Sequence, residues 1–195
     1  MSDAMWLCVT CGTQYPTEDA PPTHCAICQD DRQYVNPAGQ QWATLARLRG
    51  AHANSFGELA PGITTISTTP RLGIGQRAHL LQTPAGNLLW DCVAYLDDAN
   101  IAEVKARGGL AAIAISHPHF FTTMVDWSQA FGGVPIYLHA DHRPWVMRPD
   151  PAIHYFTEES VEPLPGLRVI RLGGHFSGSA ALHWPAAEGA GALFT

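Results

Sequence analysis

Residues 110–119 read Leu-Ala-Ala-Ile-Ala-Ile-Ser-His-Pro-His, and this stretch decides both the fold and the site that we expect. The run from Leu110 to Ser116 is almost continuously apolar, which is typical of a strand buried on both faces. His117 and His119 follow directly. Because alternate residues at the end of a strand point to the same side, both imidazoles can bind one metal ion. Pro118 holds His117 extended and stops the segment from continuing as a helix.

A third histidine lies in a glycine-rich loop further along the chain. Residues 173–179 read Gly-Gly-His-Phe-Ser-Gly-Ser and follow a short predicted strand over 168–172. Such a loop can present His175 at its tip. Three imidazoles from two strand-end loops form the ligand set of an open zinc site, which keeps one position for water. The alternative is that these are three unrelated loop histidines.

Strands and helices are mixed on both sides of these loops, which predicts an α/β (α+β) domain over residues 58–195. Apolar runs bounded by turn residues predict strands at 63–69, 78–82, 87–91, 110–116, 134–138, 161–172 (two strands), 180–184 and 192–195. Helices are expected at 97–109, with Asn100 as its cap, and at 122–131. A further short helix at 41–48 would belong to a connecting segment over residues 41–57.

The first 40 residues contain four of the five cysteines, as two Cys-x-x-Cys pairs that are thirteen residues apart. Two such turns at this separation bring four thiolates to one tetrahedral zinc ion. A segment this short cannot be stabilised by apolar burial alone. We therefore predict a zinc-ribbon module over residues 1–40, with a structural zinc bound by Cys8, Cys11, Cys25 and Cys28. Two disulfides, or iron in a rubredoxin-like site, are the alternatives.

The charge balance excludes several partners. Eleven Lys and Arg face seventeen Asp and Glu, for a net charge of −6. A basic surface for nucleic acid and a polybasic patch for anionic membrane are therefore not expected. No apolar run approaches the roughly 18 residues of a membrane-spanning helix, and the N-terminus lacks the pattern of a secretory signal. We expect a cytoplasmic protein with a small-molecule substrate and no nucleic-acid or membrane partner.

Several segments, in chain order, resemble the metallo-β-lactamase-fold hydrolases. Leu-Leu-Trp-Asp at 88–91 resembles the strand that ends in aspartate before the site. Residues 112–119 resemble the strand that leads into the HxHxDH motif, and residues 135–140 resemble the next strand. Gly-His-Phe-Ser-Gly-Ser at 174–179 resembles the GHxxGS loop. The resemblance covers residues 58–195. It implies an αββα sandwich with metal at one edge of its two sheets, and hydrolysis of an ester, thioester, lactam or phosphodiester.

The chain departs from that family in two places. The aspartate and last histidine of HxHxDH fall at Phe121 and Thr122, which do not supply those ligands. One metal ion on the three histidines, zinc or alternatively iron or manganese, is therefore what the resemblance implies. Residues 193–195 are similar to the strand that runs into the bridging aspartate of the family. We thus expect a sandwich that is incomplete at its C-terminus, from a chain that is truncated relative to the family.

Three further residues are candidates for catalysis. Asp91 would accept an imidazole N–H and fix the tautomer of a metal ligand, or it is a turn residue at a strand end. Asp141 and His142 follow a buried strand, and either could supply a base or an unusual ligand. Alternatively, their segment caps the turn that comes next.

Three functions agree with these patterns. The first is a metal-dependent hydrolase that acts on an ester or thioester of a small molecule through a metal-bound water. The second is a catalytically degenerate protein of the same fold that binds metal or ligand. The third is an interaction protein in which the zinc ribbon makes the contacts.

Overall fold

The computed structural model describes residues 4–16, 19–30, 37–185 and 191–195. At its start, β1 (Leu7–Cys8) pairs antiparallel with β2 (Trp42–Ala43), and α1 (Leu45–Leu48) follows. The helix predicted over 41–48 is therefore wrong in its first half, because residues 42–43 pair with β1. Residues 1–3, 17–18 and 31–36 of the predicted ribbon lie outside the described residues.

The main sheet has seven strands, and their order in space is their order in the chain. The first four strands are antiparallel, and the last three are added in parallel. They are β3 (Ala53–Ala60), β4 (Ile63–Thr69), β5 (Arg77–Thr83), β6 (Gly86–Trp90), β7 (Ala112–Ala114), β8 (Ile136–His139) and β9 (Ile153–Phe156). Strands β3 and β9 were not predicted. β3 is an edge strand with mostly exposed side chains, so it lacks the apolar alternation that indicates a strand.

Two helices connect the parallel strands, because a parallel pair requires a crossover. α2 (Asp98–Ala106) precedes β7, and α3 (Met124–Ala130) precedes β8. Asp97, and not Asn100 as predicted, caps α2. Oδ1 of Asp97 accepts the N–H of Asn100 at 2.8 Å, and Oδ1 of Asn100 accepts the N–H of Asp97 at 3.1 Å. This reciprocal pair is a capping box, in which Asn100 is the third helical residue.

A second, antiparallel sheet covers the face of the main sheet that is opposite the helices. Its strands are β10 (Ser160–Leu164), β11 (Leu167–Arg171), β12 (Ala180–Trp184) and β13 (Ala192–Phe194). The middle strand β7 shows how the layers meet. Ile113 packs into the core against α2 and α3, whereas Ala112 and Ala114 pack into the core between the two sheets.

The described residues therefore give three layers in the order helices, sheet, sheet, as in the first three layers of the predicted αββα sandwich. The apolar run of β7 is buried on both faces, as the sequence indicated. No helix among the described residues is long and apolar enough to span a membrane.

Candidate metal centres

The three predicted histidines come from two loops that meet where the sheets pack together. His117 is extended after β7, and a single 3-10 turn, Pro118–Phe120, carries His119. His175 lies in the loop between β11 and β12. The N–H of Ala180, the first residue of β12, donates to the carbonyl oxygen of Ser116 at 3.0 Å. This bond holds the two loops side by side.

The loops bring the imidazoles of His117, His119 and His175 together, with one ligand nitrogen of each ring within 4.8 Å of the others. Nδ1 of His119 and Nε2 of His175 are 3.1 Å apart. Two nitrogens bound tetrahedrally to one zinc ion would be about 3.3 Å apart, so this spacing fits a shared ion. His119 is buried and His175 is exposed. The cluster is therefore open to solvent on one side, as a site that admits a substrate must be.

A series of hydrogen bonds from Asp91 through Ser116 orients the imidazole of His117. Nδ1 of His117 is 2.9 Å from Oγ of Ser116, which lies 2.9 Å and 3.1 Å from the carboxylate oxygens of Asp91. The three groups are all satisfied when Nδ1–H donates to the serine hydroxyl and that hydroxyl donates to the carboxylate. Nε2 of His117 then keeps its lone pair for a metal ion. Asp91 thus reaches the site through Ser116 and not by a direct bond to an imidazole.

The ionisation of these groups suits a metal site. Burial, with the neighbouring histidines, lowers the pKa of His117 to about 3, so the ring is neutral at physiological pH. Only a neutral imidazole has a lone pair for a metal ion. Burial also raises the pKa of Asp91 to about 7, against the opposing effect of the hydrogen bonds from Ser116.

Asp141 and His142 do not join the group of three histidines. Asp141 is exposed, and its carboxylate accepts a hydrogen bond from Arg171 at 2.9 Å. His139 caps the 3-10 segment Ala140–Trp145 by accepting the N–H of Asp141. His142 lies in that segment and is fully buried. Among the described residues, neither of its ring nitrogens has a hydrogen-bond partner.

Phe121 and Thr122 occupy the positions where the resemblance would place an aspartate and a histidine. The ring of Phe121 packs edge-on against the ring of His142, with centroids 5.5 Å apart. Both residues are buried. An aromatic ring packed against His142 therefore takes the place of the aspartate, and among the described residues the group of His117, His119 and His175 includes no carboxylate.

The four predicted cysteines form a second cluster, with all four sulfurs within 4.8 Å of one another. The sulfurs of Cys8 and Cys28 are 3.6 Å apart, and those of Cys11 and Cys25 are 3.5 Å apart. A disulfide would require about 2.05 Å, so the disulfide alternative is wrong. Four thiolates bound to one zinc ion would have sulfurs about 3.8 Å apart, which these spacings approach.

Several donors surround the sulfurs. The amide of Gln40 donates to Sγ of Cys8 at 3.2 Å, and the hydroxyl of Tyr15 donates to Sγ of Cys25 at 3.3 Å. Hydrogen bonding with Cys11 lowers the pKa of Cys8 and of Cys25 below the ordinary thiol value, while the pKa of Cys11 and of Cys28 lies above it. Thiolates stabilised by outer hydrogen bonds are the ligands of structural metal sites. Gly12, which follows Cys11, has a φ of +77°, as this turn requires.

Sequence reasoning missed the residues that support the two clusters. Ser116 connects Asp91 to His117, and its position directly before the first histidine could have indicated that role. Gln76 is buried and bonds to a residue of each cluster, and Trp145 packs against the cysteine cluster and against Phe176, which contacts the histidines. No local pattern marks either residue, because their contacts are distant in the sequence.

Comparison with known proteins establishes the family. The uncharacterized protein YmaE of Bacillus subtilis (strain 168) is 45% identical to the chain over 193 residues, which are 97% of the chain and 70% of that relative. The chain belongs to the YmaE family. No protein-family profile matches it.

Solved structures identify the fold. The metallo-β-lactamase SMB-1, bound to 2-mercaptoethanesulfonate, matches with a TM-score of 0.51 and 15% identity, over 73% of this chain and 61% of that one. MEM-A1, a subclass B3 metallo-β-lactamase from a soil metagenome library, matches with a TM-score of 0.51 and 16% identity, over 73% and 60%. The chain thus spans about three fifths of the length of these structures. It has the metallo-β-lactamase fold that its motifs resemble.

Proposed function

We propose that the chain is a hydrolase that acts on an ester or thioester of a small molecule, with one catalytic metal ion held by His117, His119 and His175. The convergence of these three imidazoles carries the proposal. They lie on loops at the edge where the two sheets meet, and one side of the cluster is open. Three imidazoles with an open position are typical of catalytic zinc sites and not of closed structural ones. Zinc is the ion we favour, with iron or manganese as alternatives.

A metal ion in such a site lowers the pKa of a bound water to about 7 and polarises a carbonyl oxygen. The side chains around the site orient the ligands and stabilise charge. The hydrogen bonds from Asp91 through Ser116 hold His117 in one tautomer, and they stabilise positive charge that develops on the ring. His175, on the exposed side, leaves the entrance open to a substrate.

Aromatic rings form the walls next to the histidines. The centroid of the Phe120 ring is 5.1 Å from that of His117, and the centroid of Phe176 is 4.7 Å from that of His175. Such walls exclude water and favour an apolar acyl or alcohol group over a charged one. We therefore propose a small, largely apolar ester or thioester over a phosphodiester.

The N-terminal cysteines would bind a structural zinc ion. Their site is nearly closed, since Cys8, Cys11 and Cys25 are fully buried, and four thiolates select zinc or iron. The sulfur spacings and the outer hydrogen bonds support this role. The ribbon over 1–40, the connector over 41–57 and the metallo-β-lactamase-like domain over 58–195 remain part of the proposal.

One observation favours a second function, which is binding without catalysis. Phe121 and Thr122 replace the two ligands of the second metal site of the family, and the ring of Phe121 is buried there. An ancestor that used two ions would have lost one of them. In that case the three histidines would bind a metal ion or a ligand and would not hydrolyse it.

A substrate panel separates the two functions. The zinc-loaded chain is assayed with aryl esters, thioesters and phosphodiesters, beside His117→Ala and His183→Ala. His183 is an exposed residue of β12, so its variant is a matched control. We expect turnover of an ester or thioester that His117→Ala abolishes and His183→Ala retains. Turnover that survives in His117→Ala would refute catalysis at this site. Binding of metal without turnover of any substrate would support the second function.

A further inference from the structure

The side chain of Gln76 connects the two metal clusters directly. Gln76 is buried directly before β5, and its amide nitrogen donates one hydrogen bond to the carbonyl oxygen of Cys11, at 2.6 Å. The same nitrogen donates a second bond to the carbonyl oxygen of His119, at 2.9 Å. Both hydrogens of one NH₂ group are therefore used, one on a residue of each cluster.

Backbone contacts add a second connection. The N–H of Gln14, three residues after Cys11, donates to the carbonyl oxygen of Thr122 at 3.1 Å. A Cβ added at Gly12 would lie 2.6 Å from Cβ of Ala94 and 3.4 Å from Cγ2 of Thr122. The turn after Cys11 therefore fits closely against the segment over residues 117–122, which we call the histidine loop. Thr122 has a φ of +35°. A β-branched residue keeps such a strained conformation only where its surroundings impose it.

A third connection runs through aromatic rings. Trp145 packs against the core of the cysteine cluster and also against the ring of Phe176, with centroids 5.1 Å apart. Phe176 in turn contacts His119 and His175, at 5.3 Å and 4.7 Å between centroids. The cysteine cluster thus packs, through Trp145 and Phe176, against the histidine site.

We propose that the metal ion on the cysteines positions the histidine loop, so that the affinity of the histidines for their own metal depends on the loaded cysteine cluster. Gln76 is the positioning residue that transmits this dependence. A metal ion on the thiolates fixes the turn around Cys11 and therefore the carbonyl that accepts from Gln76. The same amide then fixes the backbone of His119. This inference rests on the proposed function, because it takes the three histidines as a metal site.

Cobalt titration of the full chain tests the proposal, because thiolate-bound Co²⁺ has an intense near-ultraviolet charge-transfer band that imidazole-bound Co²⁺ lacks. In the native chain we expect the first equivalent to develop the thiolate band and the second to bind at the histidines. Gln76→Met keeps the shape of the side chain and removes both donors. Gln82→Met is the matched control, since the amide of Gln82 also donates to a carbonyl, that of Arg107, away from both clusters.

Gln76→Met should keep the thiolate band and bind the second equivalent about tenfold or more weakly, as is usual when an outer partner of a metal ligand is lost. Gln82→Met should titrate as the native chain does. If Gln76→Met binds the second equivalent of cobalt with the native affinity, the coupling is overturned and the proposed function still stands. Loss of the thiolate band in Gln76→Met would also overturn it, because the amide would then support the cysteine cluster itself. A native chain that binds cobalt only at the cysteines would overturn the proposed function, and the coupling with it.

Discussion

Removing the hydroxyl of Ser116 is the perturbation that tests most sharply how the protein prepares His117. Ser116→Ala leaves Nδ1 of His117 without its acceptor and leaves the carboxylate of Asp91, which is 4% exposed, with the backbone N–H of residue 116. The imidazole is then free to adopt the tautomer or the ring orientation that cannot bind a metal. Loss of an outer partner of this kind lowers metal affinity by about 10- to 100-fold, or about 1.4–2.7 kcal/mol.

Stability should fall as well, because Asp91 loses a hydrogen bond from the serine. Hydrogen bonds to charged groups contribute about 1.5–3 kcal/mol. For a chain of this size a loss of about 2 kcal/mol corresponds to a decrease in Tm of about 4–8 °C. The metal affinity is measured by competition with a chromophoric chelator, and Tm by circular dichroism of the metal-free chain. Ser55→Ala is the control, since Ser55 is an exposed residue of β3 whose hydroxyl also donates one hydrogen bond.

Metal affinity in Ser116→Ala that stays within twofold of the native value would refute the reasoning, even if Tm falls. The hydrogen bonds from Asp91 through Ser116 to His117 would then stabilise the fold without orienting the metal ligand.

Three further predictions follow from buried groups. Asp126→Ala should lower the free energy of unfolding by about 3–5 kcal/mol in urea titrations, because fully buried Asp126 pairs with Arg148 at 3.0 Å and accepts from Gln14 at 2.8 Å; a loss under 1 kcal/mol would contradict this. Between pH 7 and pH 5, the free energy of unfolding of His142→Leu should fall by about 2 kcal/mol less than that of the native chain. Burial lowers the folded pKa of His142 from 6.5 to about 4, so only the unfolded state takes up a proton as the pH falls through this range; equal losses would exclude it. A strong chelator should change the fluorescence of Trp42, whose ring is 5.0 Å from that of Tyr15 beside the cysteines; an unchanged spectrum after metal release would show that the cluster does not order this region.

The sequence predicts the two clusters of potential metal ligands because each rests on a local pattern. Two Cys-x-x-Cys turns converge on one centre by their own geometry, and the histidines at 117 and 119 follow a strand that is buried on both faces. The glycine-rich loop over residues 173–179 predicts His175 as the third histidine of the cluster. Each motif is local, although the fold must bring together two cysteine pairs that are 14 residues apart and two histidines, His119 and His175, that are 56 residues apart.

Other features depend on tertiary contacts that no local pattern shows. β3 is an edge strand, and its alternation is weak because water covers one side and much of the other. Gln76 donates to Cys11 and His119, which are 65 and 43 residues away in the chain. Asp141 was a candidate base, but its carboxylate binds Arg171, a pairing that only the packing of the second sheet creates.

Anomalous diffraction at the zinc absorption edge, from crystals of the full chain grown with zinc, tests the central claim most directly. We predict one peak among the four cysteine sulfurs and a second peak about 2.0–2.1 Å from one nitrogen each of His117, His119 and His175. A peak at the cysteines alone, with the three imidazoles turned away from one another, would contradict the account.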